Sequence, residues 1–226
     1  DGIVIQNKME NIDFDFSNES VNVDAGVYLP NLSRYLKDIE RTGGEYLLGV
    51  PGTVGGAIRM NAGCYGYEFM DCVNFITYFD TVDKTIKNIT RKNIKYSYRN
   101  TEIKNAIILS ANLSFIKEDP IKIQNKMTEY SQHRKNTQPS AIYNAGSVFK
   151  NGNDYFAAEL IEQSGLKGYE IDGVKVSEKH SNFFVASKDA KSKSLYKLVK
   201  FVKEEVHNKY GVLLNEEIIF IGDFLD

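Results

Sequence analysis

The stretch Gly49-Val50-Pro51-Gly52-Thr53-Val54-Gly55-Gly56-Ala57-Ile58-Arg59-Met60-Asn61-Ala62-Gly63 places five glycines within fifteen residues. No regular amphipathic element is written this way. Glycine lets a backbone approach a ligand closely or adopt positive φ. A flexible linker is the competing reading, but linkers favour Ser and other polar residues. The interspersed Val, Ile and Met point to a packed loop instead. Composition therefore favours a ligand-binding loop over a purely structural one.

Upstream of this stretch, Ile3-Val4-Ile5 reads as a strand. Asp13–Phe16 and Val21–Asp24 alternate with period two, as half-buried strands do. A helix is predicted from Pro30 to Thr42, with Leu32, Tyr35, Leu36 and Ile39 on one stripe and Gly43-Gly44 as its stop. Downstream, Val73–Asp80 is a strand, followed by a turn and Thr85–Lys87, and a further strand lies within Asn105–Ile116. Ile121–Arg134 reads as a helix with Ile123, Met127 and Tyr130 on one face, broken by Gln138-Pro139-Ser140. A second section begins at Asn144, where Ala145–Lys150 is compact and glycine-hinged. Asp154–Gln163 is predicted helical with Asp154 as a candidate cap. Ser181–Ala186 is a strand. Ser192–Tyr210 is the longest helix, with Leu195, Leu198, Val199, Val202 and Val206 on one face, closed by Gly211. A final strand is expected at Glu217–Ile221. This order is α+β, with a boundary in the region 117–140.

The chain has 226 residues, enough for one or two compact units. Hydrophobic residues make up 42% and charged residues 26%, a balance that permits a core. A net charge of -2 offers no global field for nucleic acid or an anionic membrane. Two cysteines, Cys64 and Cys72, are not a disulfide framework, and they read as free thiols of a reducing compartment. His133, His180 and His207 are scattered, so no metal site is expected. Neither a membrane span nor a signal peptide is visible, which points to the cytoplasm. The chain opens at Asp1 without Met, so a segment upstream is expected.

Several residues could carry chemistry, and each has a plainer reading. Ser147 lacks the surroundings of a hydrolase elbow. Its hydroxyl can donate a proton or satisfy backbone. Glu217 leads an apolar run and is either a surface charge or an acid tuned by desolvation. Arg99, after Tyr96-Ser97-Tyr98, can stabilise a developing oxyanion or form a surface ion pair. Lys150-Asn151 can hold a phosphate or sugar, or be solvated. His180 reads as structural.

Together these segments resemble one family. Gly49–Gly66 (GVPGTVGGAIRMNAGCYG), Asn144–Asn151 (NAGSVFKN), Leu166–Phe183 (LKGYEIDGVKVSEKHSNF) and Leu214–Gly222 (LNEEIIFIG) are similar to segments of UDP-N-acetylenolpyruvoylglucosamine reductases. So are Tyr98-Arg99 and Arg134–Pro139, all in the family's order. The missing insertion between the second and third segments resembles the shorter of the family's two types.

The resemblance implies the second half of a two-subdomain FAD-binding fold (residues 1–118), followed by a small α+β substrate-binding domain (119–226). It implies an oxidoreductase in which NADPH reduces FAD and the enolpyruvyl group of a UDP-sugar is saturated in peptidoglycan synthesis. By the same resemblance Ser147 would donate the proton, and Arg99 and Glu217 would stabilise the enolic intermediate. Tyr98, Lys150 and Asn151 would lie near the substrate. Pro51, Gly52, Thr53, Val54, Gly55, Gly56, Asn61, Ala62, Gly63 and Arg134 would contact FAD.

Two departures stand out. The family's Gly-Ser-Asn loop, which holds the FAD pyrophosphate in a preceding subdomain, is not in this sequence. Cys64 replaces a usual alanine. We expect a monomer with no nucleic-acid or membrane partner. The alternative is a non-catalytic descendant that binds a nucleotide or nucleotide-sugar.

Overall fold

The computed structural model describes residues 3–140 and 143–224. The chain forms two compact units, Asp1–Gln132 and His133–Asp226.

In the first unit the strands β1 (Ile12–Asp15) and β2 (Ser20–Asp24) form a hairpin. Helix α1 (Leu29–Asp38) follows, then the short strand β3 (Arg41–Thr42). Helix α2 (Val54–Met60) leads into the hairpin β4 (Gly63–Cys64) and β5 (Tyr67–Glu68). The long strand β6 (Val73–Asp80) pairs with β7 (Thr85–Thr90). A small hairpin, β8 (Tyr96–Ser97) and β9 (Asn100–Thr101), precedes β10 (Ala106–Ser114) and β11 (Ile116–Lys117). The five-stranded antiparallel sheet has the order β1-β2-β10-β6-β7. Alternation along its strands turns Val21, Val23, Ile76, Ala111 and Leu113 into one core, and a register shift between Asn112 and Leu113 opposite β6 brings in Val73; the core also takes Leu29, Leu32 and Leu36 of α1 and Val54, Ala57 and Ile58 of α2.

Helix α3 (Pro120–Thr137) carries the point where the two units divide. The second unit contains β12 (Asn144–Ser147), α4 (Ala157–Gln163), β13 (Glu170–Ile171), β14 (Val174–Val176), β15 (Phe183–Ala186) and α5 (Ser192–Tyr210). Its sheet runs in the order β12-β15-β14-β13. Leu198, Val199, Val202 and Val206 of α5 close a core with Val174, Val176 and Phe184. Gly211 at φ 70° caps α5, as its position after the last apolar residue predicts. Among the described residues no helix is long and apolar enough to cross a membrane.

Five expectations are corrected. The glycine stretch is not all loop, because residues 54–60 are helical. Val54, Ala57 and Ile58 supply a short apolar stripe, Thr53 accepts a hydrogen bond from Gly56 N at 3.4 Å as N-cap, and Gly55 allows the helix to lie against Ala25. A Cβ at Gly55 would sit 3.0 Å from Ala25 Cβ.

The other four concern strands and helix ends. The first helix ends at Asp38 rather than Thr42, since Arg41–Thr42 leave it to pair with Ile116–Lys117. Ile3-Val4-Ile5 forms no strand, and all three side chains are exposed. Helix α4 begins at Ala157, where Asn151 Oδ1 accepts from Ala157 N at 3.0 Å, so Asn151 and not Asp154 serves its first turn. Glu217–Ile221 is not a strand. A single antiparallel bridge, Phe149↔Glu216, holds this region, and Ile219 and Ile221 face solvent.

Candidate functional site

The first unit gathers the glycine segment and the Tyr98-Arg99 pair into one neighbourhood. Tyr98 and Arg99 form the turn of the β8–β9 hairpin, with Arg99 in the left-handed region at φ 53°. A non-glycine residue rarely rests there unless its surroundings hold it. Here they do. Thr101 Oγ1, at the hairpin base, donates to Ile58 O at 3.0 Å and shares a second contact with Arg59 O at 2.9 Å, at the end of α2. The Arg99 guanidinium donates to Asn61 O at 3.5 Å and to Gly63 O, and lies 4.8 Å over the Tyr98 ring. The Tyr98 ring itself is exposed.

The residues chosen for FAD contact divide into two groups. Pro51, Gly52 and Gly56 are exposed, and Thr53 is half-exposed. Gly52 has φ 132°, a conformation closed to L side chains, with open space where a Cβ would stand. That bare, outward-facing backbone fits close approach by a flat ligand. Val54 is buried, and its amide and that of Gly55 donate to Val27 O and Ala25 O. Asn61 is fully buried: Nδ2 donates to Glu68 Oε2 at 2.9 Å and Ser97 O at 3.0 Å, while Oδ1 accepts from Met70 N at 3.1 Å. Its amide therefore braces the hairpins. Ala62 bonds through its backbone to Ala57 and Phe69, and Gly63 sits where the β4–β5 turn brings Tyr67 O too near for a Cβ. Arg134 lies half-buried in the last turn of α3.

Three titratable groups flank this segment in their neutral forms. Burial, then the neighbouring Cys72, pushes the Tyr46 hydroxyl above its usual range, and burial pushes the Cys72 thiol up to about 12. Burial, aided by Tyr67, raises Tyr130 to about 12. These groups stay protonated and neutral near pH 7, so they are poor acid–base catalysts there. Both cysteines are free. A cavity of about 150 Å³ lined by Tyr46, Tyr67, Cys72 and Phe115 contains none of the residues chosen from sequence.

In the second unit Ser147, Lys150 and Glu217 lie on adjacent hydrogen-bonded segments. Ser147 ends β12 opposite Phe183, after a one-residue bulge containing Gly146 at φ 76°. Among the described residues its half-buried hydroxyl makes no hydrogen bond. On one side, Val148 N donates to Asn182 O at 2.8 Å, and the Asn182 side chain bonds both to Phe149 N and to Phe149 O. On the other side, Glu217 N donates to Val148 O and Lys150 N donates to Asn215 O, each at 2.8 Å. The Asn151 amide oxygen is occupied by the start of α4. Burial lowers the His180 pKa, and His180 Nδ1 accepts from Asn182 N at 3.3 Å, the structural role read from sequence. Among the described residues no group of His, Cys, Asp and Glu could hold a metal ion. The two structural contributors that sequence reasoning passed over are Thr101 and Asn182. Neither has a local motif that signals its contacts.

Comparison with known proteins follows the same division. A family model described as FAD binding domain matches residues 1–87, and one described as UDP-N-acetylenolpyruvoylglucosamine reductase, C-terminal domain, matches residues 138–221. A UDP-N-acetylenolpyruvoylglucosamine reductase of Caldicellulosiruptor bescii is 36% identical over 215 residues, covering 93% of this chain and 68% of the relative. Another, from Caldanaerobacter subterraneus, is 39% identical over 202 residues, covering 88% and 67%. The crystal structure of a UDP-N-acetylenolpyruvylglucosamine reductase from Thermus caldophilus matches with TM-score 0.79 at 31% identity, covering 87% of this chain and 70% of that one.

Proposed function

The chain belongs to the UDP-N-acetylenolpyruvoylglucosamine reductase family, and from that premise we propose that it reduces UDP-N-acetylglucosamine enolpyruvate to UDP-N-acetylmuramate, using NADPH. The step belongs to peptidoglycan synthesis in the cytoplasm, and the protein acts as a monomer. The observation that carries this reading is the placement of Ser147 and Lys150 on a rigid segment bonded to the Glu217 backbone. When bound, FAD supplies the hydride chemistry for the enolpyruvyl methylene carbon.

The side chains divide the remaining work. Ser147 holds the proton that is added at the neighbouring carbon, for which an unbonded hydroxyl on a fixed strand is well suited. Arg99 offsets the negative charge that develops on the carboxylate, and its fixed turn removes the need for reorganisation during reaction. Glu217 is assigned to the enolic oxygens. Tyr98, Lys150 and Asn151 contact the UDP-sugar. Pro51, Gly52, Thr53 and Gly56 offer FAD an open backbone surface, while Val54, Gly55, Asn61, Ala62 and Gly63 brace that surface from beneath and Arg134 adds a charge. Residues 1–118 form the cofactor-binding domain and 119–226 the substrate-binding domain, with Tyr98 and Arg99 contributed to the substrate by the first and Arg134 to the cofactor by the second.

The decisive measurement separates the two half-reactions by rapid mixing of the yellow FAD-loaded protein. Ser147→Ala should leave flavin reduction by NADPH within twofold and slow enolpyruvyl turnover by roughly 10²–10⁴-fold. Equal loss in both half-reactions contradicts the role of Ser147. A protein that stays colourless after reconstitution with FAD contradicts the whole reading.

A further inference from the structure

The Ser147–Lys150 segment is unusual in how its two edges are satisfied. Along an antiparallel strand, successive residues point their backbone groups to alternate sides. Val148 O and Lys150 N point toward the 215–217 segment and are bonded there. Phe149 N and O point the opposite way, toward β15. By then the β15 backbone has turned aside: Phe183 N bonds to His180 O at 2.9 Å, closing a turn through residues 180–183. No backbone rung is left for Phe149.

The Asn182 side chain fills that gap. Its Oδ1 accepts from Phe149 N at 2.9 Å, and its Nδ2 donates to Phe149 O at 2.8 Å. One carboxamide thus reproduces both bonds of a missing β-rung. Asn182 is itself buried, as is Phe149, so water cannot replace either bond. The Asn182 backbone is committed too, its O accepting from Val148 N and its N donating to His180 Nδ1. A residue with three of its polar groups committed to two successive residues, Val148 and Phe149, is a clamp. What it clamps is the segment between Ser147 and Lys150, at the point where Glu217 joins from the far edge.

We infer that Asn182 is the positioning residue of the proton-donating step: its side chain fixes the Phe149 peptide and so sets where the Ser147 hydroxyl stands relative to the Glu217 segment. This rests on the assignment of Ser147 as proton donor. Asn182 touches no reacting atom. It acts through the strand, and a 1 Å displacement of a donor is enough to cost about 10²-fold in rate.

Asn182→Leu keeps the approximate size of the side chain and removes both bonds. In the FAD-loaded protein, amide exchange at Phe149 should speed up at least tenfold while α5 amides keep their protection. The kcat for the enolpyruvyl substrate should fall about tenfold or more, and KM by less. Flavin reduction by NADPH should stay within twofold. In a Ser147→Ala background the same substitution should change turnover by less than twofold, because the group it positions is gone. If the Leu variant does not fold, Asn182→Ser removes the same two bonds with a smaller side chain and is read in the same way.

Unchanged turnover despite faster exchange overturns the inference. So does an equal loss in both half-reactions, or a full additive loss in the Ser147→Ala background. A Ser147→Ala protein with undiminished turnover overturns the proton-donor reading and this inference together. A slow Ser147→Ala protein beside a fast Asn182 variant overturns this inference alone.

Discussion

The glycine segment of the first unit and the Ser147 segment of the second hold their side chains by different physical means. The first relies on special backbone conformations: Gly52 at φ 132°, Asn61 at φ 42° and Arg99 at φ 53°. The last two are held by side chains that bond to main-chain groups, as Asn61 and Thr101 do, while Gly52 O accepts from Leu29 N at 2.9 Å. The second relies on a ladder, in which Ser147 to Lys150 are bonded on both edges. A turn concentrates its strain in a few residues. A ladder spreads support over many bonds and fails when one edge is cut.

The sharpest way to break this contrast is at Arg99. Arg99→Ala should lower kcat/KM by about 10²–10³-fold, the usual effect of losing a preorganised charge stabiliser. Arg99→Lys should recover little of it, because one ammonium cannot reproduce the fork that reaches both Asn61 O and Gly63 O. If Tm falls sharply while turnover survives, Arg99 is an anchor of the turn and the contrast collapses.

A smaller effect tests the backbone. Gly52→Ala should cost about 1–3 kcal/mol, because its φ excludes a Cβ even though the space is open. Thermal unfolding would read this as a loss of several degrees. Gly56→Ala, inside α2 with ordinary φ, should be neutral or stabilising by up to about 1 kcal/mol. Equal penalties at the two glycines would mean that packing, not conformation, dictates this segment.

The smallest effect belongs to the ladder side. Burial, helped to a lesser degree by the nearby Lys167, holds the His180 pKa below its unfolded value, while a backbone hydrogen bond and Glu162 oppose this. The unfolded chain therefore binds the proton more readily. Stability from this residue is full above the unfolded pKa of about 6.5 and is lost as pH falls through the window down to the folded value. The fall in Tm between pH 7.5 and 5.5 should be smaller in His180→Gln than in the parent protein. An equal fall would assign the acid sensitivity to other groups.

Periodicity that lies within one element was readable from the residues. Strand Val73–Asp80 and helix Ser192–Tyr210, with its Gly211 cap, appear where alternation and the apolar stripe place them. Ser147, Arg99 and Glu217 stand out in the sequence as candidates for chemistry in ordered motifs. Their supports do not. Asn182 lies 33 residues from Phe149, and its two bonds depend on where a turn leaves β15. Thr101 lies more than 40 residues from the α2 carbonyls it reaches.

The same limit explains the misread segments. Glu217–Ile221 is apolar enough for a strand, but a strand also needs a partner edge, and only Glu216 finds one. The helix at 54–60 is too short and too rich in glycine to be predicted from propensity. It exists because Ala25 leaves room for Gly55 and because Val54, Ala57 and Ile58 reach the core of the sheet.

The sequence alone determined the family, the α+β order, the long elements and a set of candidate residues for the chemistry, because those signals are local or lie in ordered motifs. Only the tertiary structure decided how Arg99 and Ser147 are held. Hydrogen bonds between distant segments, and the close approach of one backbone to another, depend on contacts that no local pattern encodes.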